Sequence, residues 1–200
     1  MRYFYTKQLK SGFTLIETMI ATSLFLIVMV IGIGSLINAN SVSQRFDNER
    51  SVLDNISFVL EEMSRNLRTG STYHCEVNGD VLSEPEKPKS CSTGYLVAFE
   101  DTRGDINNPS DQWVYKIDAG ASGLVISKSI DSGTSWIEIL SAPNLDIDPA
   151  SGFSVLGALP PPSDTQQPFV VIRLAGKIVG KDGSTPFSLQ TSVSQRLLDI

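Results

Sequence analysis

Residues able to do chemistry are few in this chain of 200 residues, and their spacing is poor for catalysis. His74 is the only histidine, so any serine or cysteine nucleophile activated by histidine would have to use it. Cys75 and Cys91 are the only thiols. Two thiols and one histidine fall short of the four ligands of a structural zinc site. We predict no catalytic residue, no metal site and no cofactor, and a surface or strand-end position for His74.

Three other features have a functional and a plainer interpretation. Residues 100–111 are rich in oxygen donors, but they lack EF-hand spacing and Arg103 would repel a cation, which favours a solvated loop. Trp113 and Trp136 suit a stacking platform for sugars or peptides, yet both lie in strand-like runs, where core is the usual role. The prolines at 160–162 favour a stiff connection over a polyproline ligand.

The element that dominates the sequence is an apolar segment near the N-terminus. Residues 18–44 carry no charge, and about 20 apolar residues suffice for one helix to cross a bilayer. Arg2, Lys7 and Lys10 precede it, so the positive-inside rule predicts a cytoplasmic N-terminus and an exported remainder. A signal peptide cut near residues 32–35 is the alternative, although the apolar run is long for one. Glu17 is a charge inside this segment and requires a partner there.

The run Gly12-Phe13-Thr14-Leu15-Ile16-Glu17 resembles the cleavage and methylation motif of type IV pilins and type II secretion pseudopilins. The resemblance covers the first thirty to forty residues. It implies that a prepilin peptidase cuts after Gly12 and methylates Phe13, and that Glu17 meets the N-terminal ammonium of a neighbouring subunit. The implied partners are this peptidase, other pilin subunits, the inner-membrane assembly machinery and, before assembly, membrane lipid. Such an ammonium would also satisfy the buried carboxylate.

The helix is predicted to continue to about Thr69 with an amphipathic second half. Its apolar face is predicted from positions spaced three and four apart, widened by two valines: Phe46, Leu53, Ile56, Leu60, Met63, Leu67, Val52 and Val59. Gly70 follows Arg65 and Arg68 and suggests a left-handed helix stop. Gly32 and Gly34 leave open whether the helix breaks, because the proline that many family members have near Gly34 is absent.

After Gly70 the pattern changes to the alternation of strands. Six runs rich in β-branched and aromatic residues are predicted as strands: 95–99, 113–117, 124–127, 136–139, 169–174 and 187–193. Turn-forming residues separate them, including Ser151-Gly152. We predict an α+β, pilin-like fold in which the long helix packs on a mostly antiparallel sheet. The predicted divisions are a leader (1–12), a transmembrane half-helix (13–40), an amphipathic half-helix (41–70) and an exported β-rich domain (71–200).

The predicted export favours a disulfide between Cys75 and Cys91. It would close a loop of about 17 residues and stabilise the fold by ~3 kcal/mol in the chain-entropy view.

The net charge is −6, and removal of the three leader cations leaves 13 basic against 22 acidic residues, a charge of −9. This acidity, without a basic cluster in the sequence, argues against a nucleic-acid partner.

We interpret the chain as a structural protein, a minor pilin or pseudopilin of the bacterial inner membrane, and not as an enzyme. The amphipathic segment 51–56 and the C-terminal run 189–196 resemble minor subunits of the pseudopilin J and minor pilin W type. The alternative hypothesis is a membrane-anchored adhesin or DNA-uptake module that binds its ligand through the β-domain. Sequence does not identify the filament system, because one scaffold hosts several roles.

Overall fold

The structure, a computed structural model, describes residues 12–78, 83–106, 108–120, 123–140, 144–180 and 183–196. A single long helix, α1, runs from Leu15–Thr69, within two residues of the predicted bounds. It continues through Gly32 and Gly34, where an added Cβ would meet no atom within 4 Å. The chain divides after Asp47 into two compact units, and α1 contributes residues to both.

The second half of α1 buries a narrower apolar stripe than the sequence suggests. Its buried residues are Val52, Ile56, Val59, Leu60, Met63 and Leu67. Phe46 is 65% exposed and Leu53 is 36% exposed, so assigning these two to the packed face was wrong. The contact face is centred on the line through Ile56, Met63 and Leu67, all fully buried, and the two valines flank it. Helical periodicity therefore identified the buried face of α1, but it wrongly extended that face to Phe46 and Leu53.

Ten strands follow the helix. They are β1 (Ser71–Glu76), β2 (Cys91–Gly94), β3 (Leu96–Glu100), β4 (Trp113–Gly120), β5 (Gly123–Ser129), β6 (Ile137–Leu140), β7 (Leu145–Ile147), β8 (Gly152–Leu156), β9 (Phe169–Gly180) and β10 (Gly183–Ser194). All strand pairings are antiparallel within the described residues. The α+β class is confirmed.

The strands form two sheets where the sequence predicted one. The first has the order β1-β3-β4-β5-β6, and the second has the order β10-β9-β8-β2 with β7 added beside β9. One hydrophobic core joins residues of both sheets with the buried stripe of α1. Two sheets and one helix thus share a single packed interior, as expected for a domain of about 150 residues.

Polar contacts fix α1 on the first sheet. Asn66 donates a side-chain hydrogen bond of 2.7 Å to the Tyr115 hydroxyl on β4. Lys128 of β5 lies 3.0 Å from the Glu62 carboxylate and also covers the Trp113 ring, with its ammonium 4.2 Å from the ring centroid. These contacts lie beside the buried stripe and specify how the helix is rotated on the sheet.

Gly70 ends the helix for a steric reason. Its amide donates to the Asn66 carbonyl at 3.0 Å, but its backbone is not left-handed, so that part of the prediction was wrong. An added Cβ would overlap the Phe99 ring. The Tyr73 hydroxyl lies 2.5 Å from the Leu67 carbonyl oxygen and caps the last turn. Gly70 is therefore required because α1 passes directly into β1 against the core.

Candidate functional site

The residues of the predicted processing site lie directly before the helix. Gly12 to Thr14 are not helical, and α1 begins at Leu15. Phe13 is 82% exposed, and no atom lies within 4 Å of the Cβ position of Gly12. The bond between Gly12 and Phe13 is therefore in an open, non-helical segment, which is the backbone state that a peptidase can engage. The predicted leader, residues 1–12, lies outside the described residues except for Gly12.

Glu17 forms part of a capping box with Thr14. The Glu17 amide donates to the Thr14 hydroxyl at 3.3 Å, and the Thr14 amide donates to the Glu17 carboxylate at 3.5 Å. This reciprocal arrangement satisfies two of the unpaired amides at a helix start. The family resemblance implied only a role between subunits for Glu17, and the role of Thr14 was missed. The spacing of threonine and glutamate three residues apart was the available signal.

The helix after Glu17 exposes an apolar surface on every side. The large apolar side chains from Leu15 to Ile37 are exposed, including Leu24, Phe25 and Ile31. The hydroxyls of Thr18, Thr22 and Ser23 donate to helix carbonyls at 2.8 to 3.0 Å, so these polar atoms are satisfied without water. By length and composition α1 can cross a membrane. Such a surface suits lipid or the apolar helices of other chains.

These features coincide with a known motif. A family model described as a prokaryotic N-terminal methylation motif matches residues 7–33. The chain carries the N-terminal methylation motif of type IV pilins and pseudopilins. The pilin-type motif indicates a protein that a prepilin peptidase processes and that associates with other pilin-like subunits. No curated protein and no solved structure matches the chain.

The pilin-type motif also fits a single membrane-anchoring helix and favours a structural protein over an enzyme. The match covers only the N-terminal segment, so the β-rich domain has to be understood from its own contacts.

Cys75 and Cys91 form the predicted disulfide. Their Cα atoms are 5.7 Å apart, and Cys75 is fully buried. Cys75 lies on β1, an edge of the first sheet, and Cys91 lies on β2, an edge of the second. The bond therefore joins the two sheets at their adjoining edges. Gly94 is required beside it, because an added Cβ would lie 2.6 Å from the Cys75 sulfur.

His74 is buried within β1, so the surface part of the predicted surface or strand-end position was wrong. The residue is 3% exposed, with Nδ1 2.6 Å from the Lys87 carbonyl oxygen and Nε2 3.0 Å from the Glu76 carboxylate. Partial burial opposes the charged form of Glu76, but hydrogen bonds from Lys89 and His74 keep the Glu76 pKa below its ordinary value. This network attaches the part of the disulfide loop around Lys87 and Lys89 to β1. It is a structural arrangement with both ring nitrogens occupied.

The two tryptophans are half-buried and each is covered by a lysine. Lys128 lies over Trp113, and the Lys116 ammonium lies 4.5 Å from the centroid of the Trp136 ring. Trp113 packs against the main core, while Trp136 packs against a small cluster formed by Leu96, Ala98 and Val114. Both rings thus serve in packing with a cation–π contact, in agreement with the core interpretation.

The acidic segment 100–111 begins with a buried carboxylate, that of Glu100 at the end of β3. Within the described residues, no group of three histidine, cysteine or acidic side chains is placed to hold a metal ion. Glu100 is 4% exposed and accepts a hydrogen bond from the Gln112 amide. Three side-chain oxygens are buried without a hydrogen-bond partner: Glu100 Oε1, Gln112 Oε1 and Asp111 Oδ1. The interpretation of this segment as a simple solvated loop therefore fails at its two ends.

Burial, followed by the negative charge of Asp111, raises the pKa of Glu100, although the hydrogen bond from Gln112 opposes the shift. The unfolded value is about 4.3. The contribution of Glu100 to the free energy of unfolding is therefore most favourable below pH 4 and declines as the pH rises through the folded pKa.

We expect Glu100→Gln to raise the free energy of unfolding by about 1 kcal/mol at pH 7, because an amide stays neutral and can donate to the unpartnered oxygens. The gain should shrink towards zero at pH 4. Urea unfolding of both proteins from pH 4 to pH 8 measures this difference. Asp54→Asn, at an exposed helix position, is the control and should show no such pH dependence. A pH-independent difference for Glu100→Gln would contradict the assignment.

Proposed function

We propose that the chain is a minor pilin or pseudopilin, which is cut after Gly12, methylated at Phe13 and built into a filament through α1. The observation that carries the proposal is the methylation motif at residues 7–33. It coincides with the change from open backbone to capped helix at Leu15. In this proposal the chain first anchors in the bacterial inner membrane, with its N-terminus in the cytoplasm and its β-rich domain outside.

The cut would create an ammonium group at Phe13, directly before the helix. A positive charge is unfavourable at this end, because the helix dipole is also positive there. Glu17 lies in the first turn and supplies the compensating carboxylate. Methylation keeps the positive charge of the amine. The pairing of this charge with Glu17 of an adjacent subunit would let two apolar helices pack without leaving either charge unpaired.

The exposed apolar half of α1 would exchange lipid for neighbouring helices during assembly. Its surface is apolar on all sides, which suits a helix surrounded by other helices in a filament core. The proposed parts are a leader (1–12), a filament-core half-helix (13–40), an amphipathic half-helix (41–70) and the exported domain (71–200). The resemblance of segments 51–56 and 189–196 supports a J-type or W-type minor subunit within this proposal.

Mass spectrometry of the mature N-terminus tests the proposal. In cells with the prepilin peptidase we expect a chain that begins with N-methylated Phe13. In cells without it, and in the Gly12→Ala variant, we expect the uncut chain. Gly32→Ala is the matched control, because Gly32 is also a glycine with open space around its Cβ position, and it should be processed normally. A cut near Gly34, or an intact Met1 in the presence of the peptidase, would refute the proposed processing.

A further inference from the structure

A groove lies between the last turns of α1 and the end of β10. It has a volume of about 900 Å³ and is lined by Glu61, Ser64, Arg65, Arg68 and Thr69 of α1, by Phe169, by Ser192, Val193 and Ser194, and by Arg196. The α1 residues lie on one helical face, because they are spaced three and four apart. We call this cavity the arginine groove. It belongs to the β-rich unit and contains no residue before Asn48.

One wall of the arginine groove is the edge strand of the second sheet. β10 ends the strand order of that sheet, and no described strand pairs with its other edge. In an antiparallel pair, every second residue directs its amide and carbonyl away from the partner strand. Edge strands are usually protected by charges, prolines, bulges or a covering helix or loop. The twelve residues of β10 contain no charge, and Pro186 lies towards the far end from the groove. Among the described residues, the stretch 187–194 thus has no partner strand on this edge, and α1 contacts the chain on either side of it, at Thr185 and at Arg196.

The charge of the groove is opposite to that of the protein. The groove has three arginines and one acid, whereas the whole chain has a net charge of −6. Arg65 pairs with Glu61 at 3.3 Å, but Arg68 and Arg196 form no ion pair with any described residue. The Arg196 amide donates to the Arg68 carbonyl at 2.9 Å, so the main chains of these two residues are in contact, and both residues line the groove. Two cations that line one groove attract a carboxylate.

We propose that the arginine groove binds an extended acidic peptide segment of another protein. The segment adds as a strand to the free edge of β10, and its carboxylates bind Arg68 and Arg196. Main-chain hydrogen bonds supply affinity in this mode of recognition, and the arginines select for acidic side chains. The groove lies in the β-rich unit alone, so this binding does not depend on processing or assembly through the N-terminal segment.

An extended peptide fits this groove better than an isolated anion. The free edge of β10 presents both amide donors and carbonyl acceptors, and a phosphate group in its ionised form offers only acceptors. A strand of peptide backbone offers both in the same alternation. Phe169 adds an apolar surface that a side chain between two acidic positions can cover.

Fluorescence anisotropy with the full chain in detergent micelles tests the charge requirement. The probe is a fluorescein-labelled peptide of ten residues that alternates aspartate and valine. We expect the double variant Arg68→Gln, Arg196→Gln to weaken binding about 10-fold or more, as for paired charge contacts in other interfaces. Arg173→Gln is the matched control, because Arg173 is an exposed arginine of β9 outside the groove, and it should bind as the unaltered chain does. An equal loss in both variants, or no binding by the unaltered chain, would overturn the proposal.

Two further peptides test strand addition itself. They carry the same side chains, with N-methyl groups on all aspartate amides in one and on all valine amides in the other. A peptide that binds in one chain direction pairs with β10 through one edge only, so one methylated peptide should lose binding and the other should keep it. Hydrogen exchange should slow within residues 187–194 when the unmodified peptide binds. Unchanged binding of both methylated peptides without slower exchange within residues 187–194 would show attraction by charge alone and overturn strand addition.

Discussion

Replacement of Glu17 by glutamine should remove the protein from filaments while its membrane insertion and N-terminal processing continue. Glutamine preserves the capping box, because its side-chain oxygen can still accept from the Thr14 amide. It lacks the charge that the proposed assembly requires. A neighbouring ammonium left unpaired among apolar helices costs about 3 to 5 kcal/mol, which lowers incorporation by a factor of roughly 100 or more.

The readout is the ratio of protein in sheared filaments to protein in membranes, measured by immunoblot. Thr14→Val is the matched variant, because it removes the hydroxyl that accepts from the Glu17 amide and leaves the carboxylate in place. It should lose about 1 kcal/mol of helix capping and still assemble. Assembly of Glu17→Gln at the level of the unaltered protein would show that the carboxylate has only the local role in the capping box.

Removal of the disulfide should produce the largest loss of stability within the β-rich unit. The double variant Cys75→Ala, Cys91→Ala opens a loop with a sequence separation of 16, and the chain-entropy account assigns such a loop about 3 kcal/mol. Alanine avoids a buried hydroxyl at the fully buried Cys75 position. Urea unfolding monitored by tryptophan fluorescence should show the transition at a clearly lower urea concentration.

Chemical reduction of the disulfide provides the control for the predicted loss of stability. The unaltered protein with its disulfide reduced should unfold close to the double variant, because both lack the same constraint. The double variant itself should not respond to reductant. If the reduced and oxidised proteins unfold at the same urea concentration, the link between the sheets contributes no stability and the prediction is wrong.

The fold was predictable where the local pattern is strong. α1 and six strands follow from helical spacing and from β-branched runs. Each overlaps its predicted run, and the largest difference is at β9, which ends at Gly180 where the prediction ended at 174. β1, β2, β7 and β8 were missed. β1 and β2 are polar and contain the two cysteines, β7 has only three residues, and β8 begins at a glycine that was interpreted as a turn. These strands form because long-range pairing and burial outweigh weak local preference.

The candidate sites also differ in how far the sequence alone could predict them. The methylation motif is contiguous, so the order of residues along the chain is enough to identify it. The burial of His74 depends on the carbonyl of Lys87, which the disulfide loop brings back to β1. The arginine groove combines residues 61–69 with residues 192–196, which are separated by most of the β-rich domain. No periodicity in the sequence relates these two segments, so only the fold could bring their charges together.

The position of the disulfide also determines how the protein responds to pulling. Tension transmitted along α1 enters the β-rich domain at β1, because Ser71 follows the helix after a single glycine. The next covalent branch is Cys75, which passes the load directly to Cys91 on the other sheet. The sequence separation of 16 between them corresponds to roughly 55 Å of extended chain that cannot be drawn out. A force on the helix is therefore shared between both sheets from the first strand onwards, and the domain resists being unravelled from its attached end.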